Sequence, residues 1–148
     1  MNLTEIELVI NKEINAPLAR VYDAWTDATI LAQWFGAQGM PVQDTRIDDV
    51  VGGNYMIHLR DPETGNDRIV SGTYEQVIPN EKLIFNWMWN DGVDRSQVTI
   101  DFEQLSPDRT LLTLTHRGFS QQEYRDKHHH GWNACVEGLA SYFTQTQP

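Results

Sequence analysis

The stretch SQQEYRDKHHHGWNACVEGLASYFT (residues 120–144) decides how the chain folds. Ser120 and Glu123 stand at capping-box spacing, which predicts a helix starting near Gln121. From there to about Thr144 only Gly131 and Gly138 weaken a helical pattern. At 100° per residue, His128, Trp132, Cys135, Val136, Leu139, Tyr142 and Phe143 share one broad arc, and Asn133, Glu137 and Ser141 lie opposite. A helix of ~24 residues is ~36 Å long, enough to cross a whole sheet. The three consecutive histidines point in three directions, 100° apart, so they cannot converge on one ion, which needs i, i+3 or i, i+4 spacing. On this wheel His128 centres the buried arc, His129 sits at its edge and His130 faces water.

Such a helix needs an apolar sheet to cover, and the preceding sequence supplies one. Residues 5–15 alternate, with Ile6, Leu8, Ile10 and Lys12 opposed to Glu7, Val9 and Asn11, and predict a strand. Asn15 is a candidate N-cap and Pro17 suits a first helical turn; Leu18, Val21, Tyr22 and Trp25 then form one helical face. Thr26 or Asp27 is placed to cap a second short helix carrying Leu31, Trp34 and Phe35, ended by Gly36 and Gly39. Six further strands are predicted at 42–50, 54–60, 68–78, 82–90, 96–105 and 110–117. The short separators between them are rich in Gly, Pro, Asn and Asp, which makes an antiparallel meander. Leu83, Phe85, Trp87 and Trp89 alternate on one side of their strand, and Val98, Ile100, Phe102 and Leu112, Leu114, His116 do the same on theirs. The inward side of 54–60 stays open between Tyr55, Ile57, Leu59 and Met56, His58. The expected class is α+β: about six to seven antiparallel strands wrapped around one long C-terminal helix, with two short helices after the first strand, in one domain over 1–148.

Bulk properties bound the function. The chain has 148 residues, 40% of them hydrophobic, with a net charge of −10. That charge opposes binding to nucleic acid or anionic lipid. No apolar run reaches the ~20 residues of a membrane span. The N-terminus lacks the basic-then-apolar order of a signal peptide, and the expectation is a soluble cytoplasmic protein. Cys135 is the only cysteine, which excludes an internal disulfide and a multi-cysteine metal site; on the buried arc it reads as an inert core thiol. Asp48–Asp49 and Asp101/Glu103 read as solvated acids, and Gly52–Gly53 as a turn rather than a phosphate loop. No cofactor, metal centre or catalytic motif is indicated.

Several segments together resemble the bacterial proteins related to the activator of heat-shock-protein ATPase, within the START-like (SRPBCC) superfamily of helix-grip folds. They are INAPLARVYDAWTDATILAQWFG (14–36), VGG (51–53), SGTYEQVIPNEKLIFNW (71–87), LTLTHRGF (112–119) and H-x-x-GW (128–132). The resemblance spans nearly the whole chain and implies a curved sheet gripping the helix, with a cavity between them. It also places His116, His128, Gly131 and Trp132 at pattern positions.

The candidate cavity residues are Tyr55, Tyr74, Phe85, Trp87, Trp89 and Phe102 from the strands. Trp34, Trp132 and Cys135 come from the helices, and His116 and His128 are the polar members. Three functions compete. The first is binding of a small hydrophobic or amphipathic molecule, which calls for a hollow of a few hundred cubic ångströms beneath the helix. The second is a cyclase- or hydrolase-like enzyme, for which His128 with His116 or a tyrosine is the only acid/base pair. The third is interaction with a chaperone ATPase, as for the family's eponymous member, although this chain reads as a single domain without the additional region such a cochaperone uses. A monomer and a homodimer are both compatible with the pattern, which contains no heptad seam.

Overall fold

Alternation of apolar and polar residues produces seven strands, and their pairing follows from the short turns between them. The structure is a computed structural model and describes residues 6–92 and 95–146. In chain order its elements are β1 (Ile6–Ile14), α1 (Leu18–Thr26), α2 (Ala28–Trp34), a 3-10 turn (Phe35–Gln38), β2 (Val42–Ile47), β3 (Asn54–Arg60), β4 (Asp67–Ile78), β5 (Lys82–Trp89), β6 (Ser96–Ser106), β7 (Arg109–Phe119) and α3 (Gln122–Thr146). The strands form one sheet in the order β1-β7-β6-β5-β4-β3-β2, antiparallel at each pairing. Strands β2 to β7 are the expected meander, and β1 adds to its far edge beside β7. The chain therefore leaves β1 at one edge and re-enters at β2 on the other. Helices α1 and α2 make that crossing over the same face that α3 covers. This is the expected α+β arrangement of a sheet closed by a long C-terminal helix.

One face of the sheet carries the core. Leu8, Ile10 and Ile14, Tyr55, Ile57 and Leu59, Val70 and Tyr74, and Leu83, Phe85 and Trp87 are buried, as are Val98, Ile100, Phe102, Leu112, Leu114 and His116. Tyr55, Ile57 and Leu59 thus settle the inward side of β3, and His58 points outward to Asp67 at 2.9 Å. Trp132, Cys135, Val136, Leu139 and Phe143 of α3 close over this face, and Lys12 reaches up from β1 to Glu137 at 2.9 Å. Register shifts occur at Ile6/Glu7, Val42/Asp44, Tyr74/Gln76 and Gln104/Ser106; such shifts bend a strand and increase its twist.

Several boundaries differ from the sequence expectation for local reasons. Asn15 is not the cap of α1: Pro17, with ψ 149, takes that position without a side-chain bond, and its carbonyl accepts from Arg20 and Val21. Asp27 does cap α2, its Oδ1 accepting from Thr29 N at 2.9 Å and Ile30 N at 3.1 Å. Gly36 does not end that segment; the chain tightens into the 3-10 turn and stops at Gly39, φ 104. Strand β2 ends at Ile47, because residues 48–53 turn back through Val50 N to Asp48 O and Gly53 N to Val50 O. Strand β7 runs to Phe119 and α3 starts at Gln122. Glu5 lies outside the described residues.

Gly72 is required by packing. The Tyr55 hydroxyl donates to Asn86 O at 2.7 Å beside Gly72, its partner across β3 and β4. A Cβ on Gly72 would stand 2.0 Å from that same carbonyl oxygen. Gly72→Ala is therefore expected to cost about 3 kcal/mol, measured as a lower urea midpoint at unchanged slope. At Gly39 a Cβ meets nothing within 4 Å, so Gly39→Ala should cost only the left-handed backbone penalty of about 1 kcal/mol.

Candidate functional site

The interior between sheet and α3 is filled with rings. Trp132 sits at its centre, 5.0 Å from Trp87, 5.9 Å from Phe35 and 6.0 Å from Trp25 between centroids. Tyr55, Tyr74 and Phe85 continue the cluster along the sheet at 5.2–5.9 Å. What remains is a hollow of about 20 Å³, bordered by Trp25, Leu31 and Phe35 from the helical crossing, Trp132 from α3, and Ile47, Tyr55, Ile57, Tyr74, Phe85 and Trp87 from the sheet. This corrects the expectation of a hollow of a few hundred cubic ångströms. The large rings that mark the interior also close-pack it, and the space left suits one water molecule. Two of its walls carry an anomaly. The indole N–H groups of Trp25 and Trp87 are buried and have no hydrogen-bond partner among the described residues.

The two histidines meet, with ring centroids 5.2 Å apart, in a network that assigns each proton. Trp132 Nε1–H donates to His116 Nδ1 at 3.0 Å, so that nitrogen is the bare one. His116 Nε2–H then donates to Ser96 Oγ at 2.7 Å, and Ser96 Oγ–H donates to Trp87 O at 3.3 Å. Trp89 Nε1–H donates to His128 Nε2 at 2.9 Å, leaving His128 Nδ1–H to donate to Tyr124 O at 2.8 Å. Both imidazoles are neutral in this arrangement, and all four ring nitrogens are engaged. Burial, and then the neighbouring His128, hold His116 well below the usual histidine range. A general base needs a nitrogen facing substrate and a metal ligand needs a free lone pair; the pair offers neither. Among the described residues no group of three or more His, Cys, Asp or Glu side chains is placed to hold a metal ion.

The expected cavity residues fall into distinct roles. Tyr55, Tyr74, Phe85, Trp87 and Trp132 border the hollow. His116, His128 and Trp89 form the polar network beside it, with the Arg68 guanidinium 4.8 Å from the centre of the Trp89 ring. Trp34 donates to Ala24 O at 3.0 Å and locks α1 to α2. Phe102 packs edge-on against Tyr22, centroids 5.3 Å apart. Cys135 donates to Phe35 O at 3.6 Å, and burial pushes its thiol pKa far up. Sequence reasoning left out Trp25, Leu31, Phe35 and Ile47, whose spacing reads only as ordinary core. It also left out Ser96, for which no sequence signal exists.

A larger hollow lies outside the sheet–helix interior. A groove of about 690 Å³ runs between α2, the 3-10 turn and the outer side of α3, bordered by Ala32, Gln33, Pro41, Ala134, Gly138 and Ser141 among others. It is a surface trough in which, among the described residues, no buried side-chain donor or acceptor lacks a partner, so the interior has the stronger claim.

The fold and the family agree. Residues 15–144 match the family described as Activator of Hsp90 ATPase homolog 1-like protein, AHSA1. The chain belongs to this family. Among solved structures it is similar to the AHSA1 protein of Silicibacter pomeroyi, 24% identical over 96% of this chain and 100% of that one, TM-score 0.84. A protein from Chromobacterium violaceum is 24% identical over 91% of this chain and 95% of that one, TM-score 0.82. The AHSA1-like protein of Aeromonas hydrophila is 21% identical over 95% and 93%, TM-score 0.78. At these identities the likeness establishes the AHSA1-type fold. No curated protein matches the chain. No helix among the described residues is long and apolar enough to cross a membrane.

Two outcomes follow from the neutral core. The unfolded chain takes up a proton at His116 below about pH 6.5, whereas the folded one resists until well below it. Stability is therefore present above pH 6.5 and is lost as pH falls toward the folded value, by up to about 1.4 kcal/mol per pH unit for this one proton. Urea midpoints between pH 8 and 5 should show that slope, and His116→Gln should remove one proton's share of it. The Cys135 thiol should stay inert to a colorimetric disulfide reagent in the native protein and react only at the unfolding rate.

Proposed function

We propose that this AHSA1-type domain binds a small amphipathic molecule in the interior between the sheet and α3. The observation that carries this reading is the pair of buried, unpartnered indole donors on Trp25 and Trp87, which border the same hollow. A buried donor without an acceptor costs about 1–3 kcal/mol, so two at one hollow mark a place suited to an acceptor. One water is enough to occupy the hollow as it stands. A larger guest is admitted by movement of Leu31 and Phe35. These belong to the short α2 and 3-10 segments, which are held by ring contacts such as Phe35 on Trp132 and by single side-chain hydrogen bonds from Trp34, Thr45 and Cys135 rather than by a sheet ladder. The apolar part of the guest then lies against Trp25, Phe85, Trp87 and Trp132, and its acceptor meets the indole N–H groups.

An enzymatic role draws no support from the histidine pair, because both rings use their nitrogens within the protein. A chaperone partner is suggested by the family description alone. The buried lone cysteine suits a reducing compartment, and we place the protein in the cytoplasm on that basis.

Native mass spectrometry of the protein as purified, with a tryptophan-emission titration against octanol, tests the reading. We expect either a co-purified adduct lost on denaturation or a saturable emission change, weakened severalfold in Trp87→Phe. A bare native mass together with flat emission overturns it.

A further inference from the structure

Arg68 stands on the inner face of the sheet without a counter-ion among the described residues. Across β3 and β4 it pairs with Leu59, which is fully buried, and it lies two residues before Val70, also fully buried. The alternation of β4 therefore turns its side chain toward the face that α3 covers. There the guanidinium carbon lies over the Trp89 ring, 4.8 Å from its centre. Trp89 is fixed in turn by its bond to His128 on α3.

The residue is half-buried, and its Nε is buried with no hydrogen-bond partner among the described residues. The indole attracts the charge through its ring, but its one polar atom is a donor and cannot accept that N–H. The acceptors nearby are turned to other donors. Asp67 projects from the opposite face of β4 and takes His58 at 2.9 Å and Arg60 at 3.2 Å. Asn90 Oδ1 accepts from Ile69 N at 3.3 Å, and His128 Nε2 accepts from Trp89 at 2.9 Å. Arg46, Arg60, Arg109, Arg117 and Arg125, by contrast, each contact a carboxylate. Arg20 also lies over a ring, that of Phe143 at 5.4 Å, but it is exposed to water.

A positive charge drawn partly out of water with one N–H unsatisfied is costly unless an anion meets it. Nε–H and the adjacent Nη–H form a planar fork that matches the two oxygens of a carboxylate. One guanidinium balances one negative charge, and the net charge of −10 repels anions that carry more. The part-exposed Trp89 ring beside it adds an apolar surface that an inorganic ion would not use.

We propose that Arg68 anchors a second binding site, where β3 and β5 end and β4 begins, for the carboxylate of a small organic acid. The carboxylate takes Nε–H and Nη–H together, and the organic part lies against Trp89. The site is separate from the indole-bordered hollow, so it stands or falls independently of the guest proposed there.

Benzoate titrated into the isotope-labelled full chain, followed by NMR at the arginine Nε–H signals and by calorimetry, tests this. The Arg68 signal, identified by its absence in Arg68→Lys, should move saturably with a dissociation constant of about 1 mM. Benzamide, which has the same shape without the charge, should bind about tenfold or more weakly. Benzoate affinity should fall about tenfold in Arg68→Gln and recover only in part in Arg68→Lys, which keeps the charge but not the fork. It should be unchanged in Arg20→Gln, which removes one charge from the other ring-stacked arginine. An Arg68 signal that stays fixed up to about 50 mM benzoate overturns the site, and that reading needs no variant to fold. Affinity that survives Arg68→Gln, or falls as far in Arg20→Gln, overturns it as well, because the binding then lies elsewhere or follows overall charge. Equal binding of benzamide, or an equal shift with chloride, overturns the carboxylate assignment.

Discussion

The hydrogen bond from Trp132 to His116 holds this fold together in more than one direction. It ties α3 to β7, and the proton order it imposes carries the link through Ser96 on β6 to the Trp87 carbonyl on β5. Three adjacent strands and the helix are thereby joined through one fully buried imidazole. A second chain from Trp89 through His128 to the Tyr124 carbonyl repeats the connection nearer the start of α3. An apolar filling of the same volume would pack as well but would not select the helix rotation; the polar chain does, because any other rotation leaves several buried donors unpaired. The same bonds engage all four ring nitrogens of His116 and His128 within the protein.

Much of the architecture was legible because it depends on period. Alternation in Leu83–Trp89 and the arc from His128 to Phe143 set which side chains turn inward, and turn residues set the meander. The boundaries that shifted did so where a local bond outweighed the pattern. Pro17 takes the cap position that Asn15 was expected to hold, and residues 48–53 fold back on themselves, which shortens β2. The inward side of β3 was undecidable because Met56 and His58 are nearly as acceptable inside as Tyr55 and Ile57; pairing to β4 and the outward His58–Asp67 contact decided it.

The site was legible only in part. Aromatic content points to the interior but says nothing of how tightly rings pack, so an open hollow and a closed one look alike in sequence. Trp25 and Trp87 read as core, and core they are; that their N–H groups lack acceptors depends on ring orientation, which no spacing rule reports. Asp48 and Asp49 read as solvated acids in an acidic chain. Both are exposed on the turn that joins β2 to β3.

The placement of β1 has a consequence for how the chain acquires its structure. Strands β2 to β7 pair with their sequence neighbours and can form successively, each hairpin closing a short loop. Among the described residues β1 pairs with β7 alone, and Thr110 Oγ1 bonds to Ala16 O across 94 residues. On a ribosome β1 emerges before the other strands and yet must wait for nearly the whole sheet before its backbone is satisfied. Its docking is therefore a late, long-range closure, the kind of step that slows folding. Until that step the β7 edge is open to pairing with another chain.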